Sequence, residues 1–316
     1  MREQEILAWK QFFHPQLEEV LLHKLDFEAI KPLEGGGNLA DSAGKFCVCD
    51  RKGPAAVAFC AIDPQFDCVG QATKASVQCK ELLDSSLGKH VLSPVAAGEW
   101  QGCSWAIYSY CTPLSDNRLL WPLQRKLLQG DIFHWLVDVA KETRCEAAKE
   151  EVDSGFCKPL EHIVSLSALS KSVREAATVS LHTLTTGAFK PCFSLMQGDF
   201  WKGNLLIDNR YTTVTKGAGW SKRFVIIDWA GARIKGYPFY DFIRFADSFR
   251  LRGHVLVESL NQFCHHFGCT PTQARSYLLA ALGYLGLHLE CFPFEQYLQL
   301  VEKCNVLMER ALVAKK

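Results

Sequence analysis

The sequence predicts an α+β chain in two parts: an N-terminal lobe on an antiparallel sheet over residues 1–110, and a mainly helical C-terminal lobe over residues 111–316. Three observations carry this. Apolar, β-branched runs of strand length, bounded by turn-rich sequence, dominate up to Tyr110. Beyond it, apolar positions recur at helical spacing over long stretches. The chain has 316 residues, 48% hydrophobic and 22% charged, enough for one bilobal unit or two ordinary domains with a sizeable core.

Residues 1–25 mix apolar and polar positions at helical spacing, so a helix opens the chain. Residues 27–33 predict a strand running into a Gly-rich turn that holds Gly35, Gly36 and Gly37. Strands follow at 44–49 and 54–62, with Arg51 and Lys52 in the turn between them. A helix is expected over 71–87, with Glu81 on its solvated face or partnered by a Lys. Strands at 91–97 and 104–110 flank a turn at 99–102, and residues 110–115 break the pattern and mark the junction between lobes. A helical tract over 118–149, interrupted at Gly130-Asp131, leads to a polar connection at 150–159 and a helix over 167–186. Residues 205–208 and 223–228 read as the strands of a hairpin, with an exposed tip over 209–222. From Asp241 onward the pattern is packed helices, with breaks at 268–271 and 292–293.

Bulk properties exclude several function classes. Net charge is +1, and no basic stripe with interleaved aromatics appears, which argues against nucleic acid as a partner. The apolar stretch at 276–289 is too short, and too interrupted by Gly283, Gly286 and His288, to cross a bilayer; a buried helix is expected and no membrane partner. The N-terminus is polar and lacks a signal-peptide pattern. The 14 cysteines follow no regular framework and read as reduced thiols of a cytoplasmic protein. Cys264-His265-His266-Phe267-Gly268-Cys269 lacks a second ligand pair at zinc-site spacing, so Gly268 reads as a helix C-terminus instead.

The chemistry concentrates in two segments, Met196-Gln197-Gly198-Asp199-Phe200-Trp201-Lys202-Gly203-Asn204 and Phe224-Val225-Ile226-Ile227-Asp228-Trp229. An Asp, an Asn five residues on, and a second Asp ending an apolar strand is the set that phosphoryl transfer from Mg-ATP requires. One carboxylate positions the acceptor hydroxyl, while an amide and another carboxylate hold the metal. Mg2+ favours such oxygen ligands together with phosphate oxygens. Taken singly, Asp199 and Asp228 are also compatible with ordinary turn and strand-end carboxylates.

Those residues, followed by Gly236-Tyr237-Pro238-Phe239-Tyr240-Asp241, resemble the aminoglycoside phosphotransferase / choline kinase-like superfamily, small-molecule kinases with a protein-kinase-like fold. The resemblance spans about 196–250. It implies a bilobal kinase-like architecture, Asp199 as catalytic base, Asn204 and Asp228 as Mg2+ ligands, ATP as donor, and a structural Asp241 that ties its helix to the catalytic segment. Two positions depart from the family. Gln197 stands where the family has His, and the third strand carries no Lys to meet the ATP phosphates. Lys45 on the preceding strand is the candidate substitute, or else a solvated strand residue. Gly36 and Gly37 are candidates to close backbone amides over the phosphates. Lys202 would neutralise charge on the transferred group, or is an exposed loop Lys. Trp201 either lines the substrate site or packs beneath it.

Acids and bases nearly balance beyond Asp241, so a neutral or anionic small-molecule hydroxyl acceptor, such as a sugar, is expected rather than a polycation. The short run from Trp229 to Pro238 leaves no room for a peptide-docking activation segment. The alternative is a catalytically impaired kinase-like binding protein, favoured by the missing strand Lys and by Gln197.

Overall fold

Helix α1 (Glu3–Leu21) buries Trp9, Phe13 and Leu17, four residues apart and therefore on one face. They pack on Phe46, Val48, Ala56, Ala58 and Ile107 of the first sheet. The computed structural model that contains this helix describes residues 1–33, 43–65, 67–208, 223–290 and 292–313. Those residues form two compact units: Met1–Leu114 with Leu205–Gly231, and Ser115–Asn204 with Ala232–Lys316.

In the first unit, a helical turn at Phe27–Ala29 replaces the start of the strand expected at 27–33, leaving β1 as Ile30–Pro32. β2 (Ala43–Asp50) and β3 (Gly53–Ala61) form a hairpin. Helix α2 (Cys68–Leu82) starts at Asp67, whose carboxylate accepts from Gly70 N at 2.9 Å. A short helix, α3 (Ser85–Gly88), is capped the same way by Asp84. β4 (Ala96–Trp100) and β5 (Cys103–Ser109) complete an antiparallel sheet of order β1-β2-β3-β5-β4. The strand expected at 91–97 shifts along the chain because Gln101 and Gly102, with φ of 51° and 78°, form a tight two-residue turn. That geometry matches the twist of a hairpin and fixes the register Trp100↔Cys103. β6 (Thr112–Pro113) ends this stretch of the unit.

The second unit begins with α4 (Leu120–Glu142), unbroken where Gly130-Asp131 predicts an interruption. Gly costs a helix about 1 kcal/mol relative to Ala, and the buried Leu128, Ile132, Phe133 and Leu136 hold it across that point. After β7 (Cys145–Glu146), the expected polar connection at 150–159 is helical too: α5 (Lys149–Val152), a π-type turn, and α6 (Lys158–Ser165). The reason is burial of Phe156 and Leu160, which a polar composition conceals. α7 (Lys171–Thr185) then leads to β8 (Cys192–Met196), which is buried along its whole length.

The chain returns to the first unit as a hairpin of β9 (Leu205–Ile207) and β10 (Phe224–Ile226). β6 pairs with β9, and Ile226 exchanges backbone bonds with His90 and Leu92. These ladders explain why residues 205–231 belong with the N-terminal segment and why the first boundary falls at Leu114 rather than Tyr110.

The second unit resumes with β11 (Arg233–Gly236), which pairs with β8, and with α8 (Tyr240–Ser248), α9 (Gly253–Phe267), α10 (Pro271–Leu287) and α11 (Phe294–Val313). Gly268, at φ 78°, ends α9 in the left-handed conformation and donates to Cys264 O. Among the described residues no group of three His, Cys, Asp or Glu is placed to hold a metal, and no helix is long and apolar enough to cross a membrane. α6 and α10 approach so closely that a Cβ on Gly283 would lie 2.0 Å from Pro159 O. Backbone on both sides cannot yield cheaply, so Gly283→Ala is expected to cost at least about 1–3 kcal/mol, measured by urea unfolding.

Candidate active site

Three polar side chains sit on one face of α8. Asp241, Arg244 and Ser248 are spaced i, i+3 and i+7, while Phe242, Ile243, Phe245 and Ala246 are buried. Each holds a different point of the segment 197–202. Asp241 accepts from Gln197 N at 2.6 Å and from Gly198 N at 3.0 Å. Arg244 donates to Asp199 Oδ1 at 2.7 Å. Ser248 Oγ accepts from Lys202 N at 2.8 Å. Gly198 has φ of 94°, a conformation open to glycine, which lets successive amides turn toward Asp241. Burial pushes the Asp241 carboxyl up to about 7, against the pull of its two backbone donors.

Gln197 is buried, and its side-chain oxygen accepts from Asp199 N at 2.8 Å. The amide thus braces the loop from inside. Asp199 is half-exposed, and both its carboxylate oxygens are engaged: Oδ1 by Arg244, Oδ2 by Asn204 Nδ2 at 3.1 Å. Asn204 Nδ2 also donates to Asp199 O at 2.9 Å. Asn204 is buried, and its NH2 is turned to Asp199, which leaves its carbonyl oxygen as the side chain's other polar group, a hard donor. The sequence pairing of Asp199 with Asn204 is therefore a direct contact.

The Lys202 side chain, expected either to meet the transferred group or to be an exposed loop Lys, is engaged by the protein itself. Its ammonium donates to Ser115 O at 2.8 Å and Asp116 Oδ1 at 2.5 Å, and lies 4.7 Å from the Trp121 ring centroid. It straps the loop to the segment before α4. Lys202→Ala should lower stability by about 1–2 kcal/mol, while ATP affinity in a direct titration stays within twofold of wild type. Trp201 is 46% exposed, and its ring lies where a Cβ on Gly203 would be, 2.3 Å away.

In the first unit, Asp228 follows β10 at φ 59°, an uncommon conformation for a residue other than glycine. Trp229 beside it is buried and donates Nε1–H to Ile226 O at 2.9 Å, so it packs beneath the strand end. Lys45 pairs across with Phe59, on the sheet face that carries Tyr108. β3 carries no cation. The face of α2 toward the sheet presents Val69, Thr73 and Ser76, with Thr73 Oγ1 3.4 Å from Tyr108 Oη, and Glu81 is exposed. Burial, reinforced by the nearby Asp228 carboxylate, holds the Tyr108 hydroxyl above its usual range. Gly36 and Gly37 lie outside the described residues.

Solved structures with this architecture include three phosphotransferases. A thermostable mutant of aminoglycoside phosphotransferase APH(4)-Ia, in ternary complex with AMP-PNP and hygromycin B, matches at TM-score 0.51 and 14% identity, over 90% of this chain and 94% of that one. The macrolide 2'-phosphotransferase MphH from Brachybacterium faecium matches at 0.50 and 13%, over 92% and 97%. A type I macrolide 2'-phosphotransferase matches at 0.50 and 14%, over 91% and 95%. The fold is that of the aminoglycoside and macrolide phosphotransferases. No protein-family model and no curated protein sequence matches the chain.

On this phosphotransferase fold, two residues escaped the sequence reading. Arg244 and Ser248 carry the loop as much as Asp241 does. Their signal was a polar stripe at helical spacing on an apolar helix; what the stripe faces is a tertiary fact.

Proposed function

We propose that the protein transfers the γ-phosphoryl group of ATP to a hydroxyl group of a small metabolite. The observation that supports this most is the Asp199–Asn204 contact, on a loop anchored through Asp241, Arg244 and Ser248. In this reading Asp199 orients the acceptor hydroxyl and takes its proton as the new oxygen–phosphorus bond forms and the bond from the γ-phosphorus to the bridging oxygen of ADP breaks. Gln197, Asp241 and Ser248 fix the loop so that the carboxylate is aimed before substrate arrives.

Asn204 and Asp228 are the proposed protein ligands of Mg2+. Leu205 pairs with Ile226 in the ladder, so these residues continue the two strands at the same end of the hairpin. A carbonyl and a carboxylate are hard oxygen donors, and Mg2+ takes few protein ligands alongside phosphate oxygens and water. When bound, the ion would offset phosphate charge. Lys45, Gly36 and Gly37 remain the proposed phosphate contacts; Lys202 is assigned to the loop strap.

The test is calorimetric titration with ATP, with and without Mg2+, on wild type and Asp228→Ala, followed by ADP release with hydroxyl compounds. Mg-dependent binding lost in Asp228→Ala is expected. One observation favours the second reading, a binding protein with an impaired site: β3 and the inward face of α2 lack the Lys and Glu that anchor ATP in kinases. ATP binding indifferent to Mg2+ would select it.

A further inference from the structure

We propose that the acceptor of this chain is anionic, and that its carboxylate or phosphate group is taken by Arg244 with Lys303 and Arg252. The inference rests on the phosphotransferase reading above and specifies its substrate class.

Arg244 spans two environments. One end of its guanidinium contacts Asp199, while its Nε is buried with no hydrogen-bond partner. A guanidinium offers five N–H donors in a planar fork suited to carboxylate or phosphate, so donors remain beyond the Asp199 contact. Arg244 also lines a narrow groove between α8 and α11, together with Ile243, Asp247, Lys303, Cys304 and Leu307. Lys303 Nζ lies 2.6 Å from Asp247 Oδ2, and Arg252 lies 4.0 Å from Asp247 Oδ1. Lys303 and Arg252 thus share the Asp247 carboxylate, and Arg244, paired with Asp199, lines the same groove. Lys303 is 62% exposed and Arg252 48% exposed, so neither ammonium nor guanidinium is sealed from a ligand.

The charge pattern selects against a cationic acceptor. An ammonium group approaching Asp199 meets a guanidinium already paired with that carboxylate, and at the groove Lys303 and Arg252 outnumber the one carboxylate, Asp247, that they share. An anionic group meets charge-assisted donors instead. It also competes with Asp199 for Arg244. Drawing the guanidinium toward the acceptor frees Asp199 Oδ1 to receive the hydroxyl proton, so the anion that confers recognition also releases the base. The transfer remains balanced as written above: the proton passes to Asp199, and ADP leaves with the electrons of the broken bond.

The experiment is calorimetric titration of the full chain with glycerol 3-phosphate and glucose 6-phosphate, and with glycerol, glucose and choline as neutral and cationic counterparts. Each is run with and without a saturating non-hydrolysable ATP analogue. Binding of a phosphorylated compound at least tenfold tighter than its neutral counterpart is expected, retained with the analogue present and weakened at least tenfold in Lys303→Glu and Arg244→Gln. Lys303→Glu is a surface change that leaves the fold in place, so the test does not depend on Arg244→Gln folding. No preference for the anions, preference for choline, displacement by the analogue, or affinity unchanged in Lys303→Glu would each overturn the proposal. Failure of the phosphotransferase reading shows separately, in the ATP titration, and leaves these anion titrations interpretable.

Discussion

Replacing Asp199 by Asn is expected to lower kcat by about 100- to 10,000-fold while unfolding stays close to wild type. The two side chains have the same shape, and Asp199 is half-exposed, so its pairing with Arg244 contributes little to folding. The Asn oxygen can still accept from Arg244 or Asn204, so the loop keeps its position. On the proposed mechanism, what disappears is the proton acceptor. Asp241 is turned to the amides of Gln197 and Gly198 and is buried. The measurement is single-turnover phosphorylation beside circular dichroism melting. A variant that melts like wild type and keeps more than a tenth of its rate would remove Asp199 from the mechanism.

Parts of the site were legible because they are local. Asp199 and Asn204 lie five residues apart on one loop, so the pair was legible from its spacing; that the two side chains touch is seen only in the structure. Asp241 was legible as the start of a helix after a Pro-containing turn. Lys202 shows the limit. Nearness to Asp199 in sequence suggested a phosphate contact, but the turn that ends at Asn204 sends its side chain to Ser115, 87 residues away in the chain. The same limit hid the helix through 150–159. There Phe156 and Leu160 are isolated apolar positions in a polar run, and only the partners that bury them make a helix favourable. The break expected at Gly130 failed for the converse reason, since a propensity cost of about 1 kcal/mol is small beside burial of the residues around it. The β2–β3 hairpin and the β9–β10 hairpin were legible because alternation and turn residues are written within each segment.

Asp241→Asn is expected to destabilise the protein and to flatten its dependence on pH. The Asp241 carboxyl accepts from two backbone amides, and both would face an Asn side chain that has one acceptor oxygen and an NH2. Leaving one buried N–H without an acceptor costs about 1–3 kcal/mol, and Asp241→Ala, which strands both, costs more. The pH term has a definite sign. Burial raises this carboxyl to about 7 in the folded chain, whereas an Asp in the unfolded chain titrates near 3.9. Between those values the native state holds a proton that the unfolded state has released. The stabilisation tied to that proton is complete below about pH 4 and is lost as pH rises through about 7, at up to about 1.4 kcal/mol per pH unit. Wild-type stability should therefore decline across this window by a few kcal/mol from this group alone, and Asp241→Asn should lack that decline. The gap between the two proteins narrows as pH rises. Urea unfolding at intervals from pH 4.5 to 7.5 measures it, and a gap that stays constant would mean that Asp241 is ionised throughout, held so by the Gln197 and Gly198 amides. Activity separates the two variants further. In Asp241→Asn the loop loses one of its two anchors at residues 197 and 198 and in Asp241→Ala both, so kcat should fall in each, further in Ala, although no atom of Asp199 has changed.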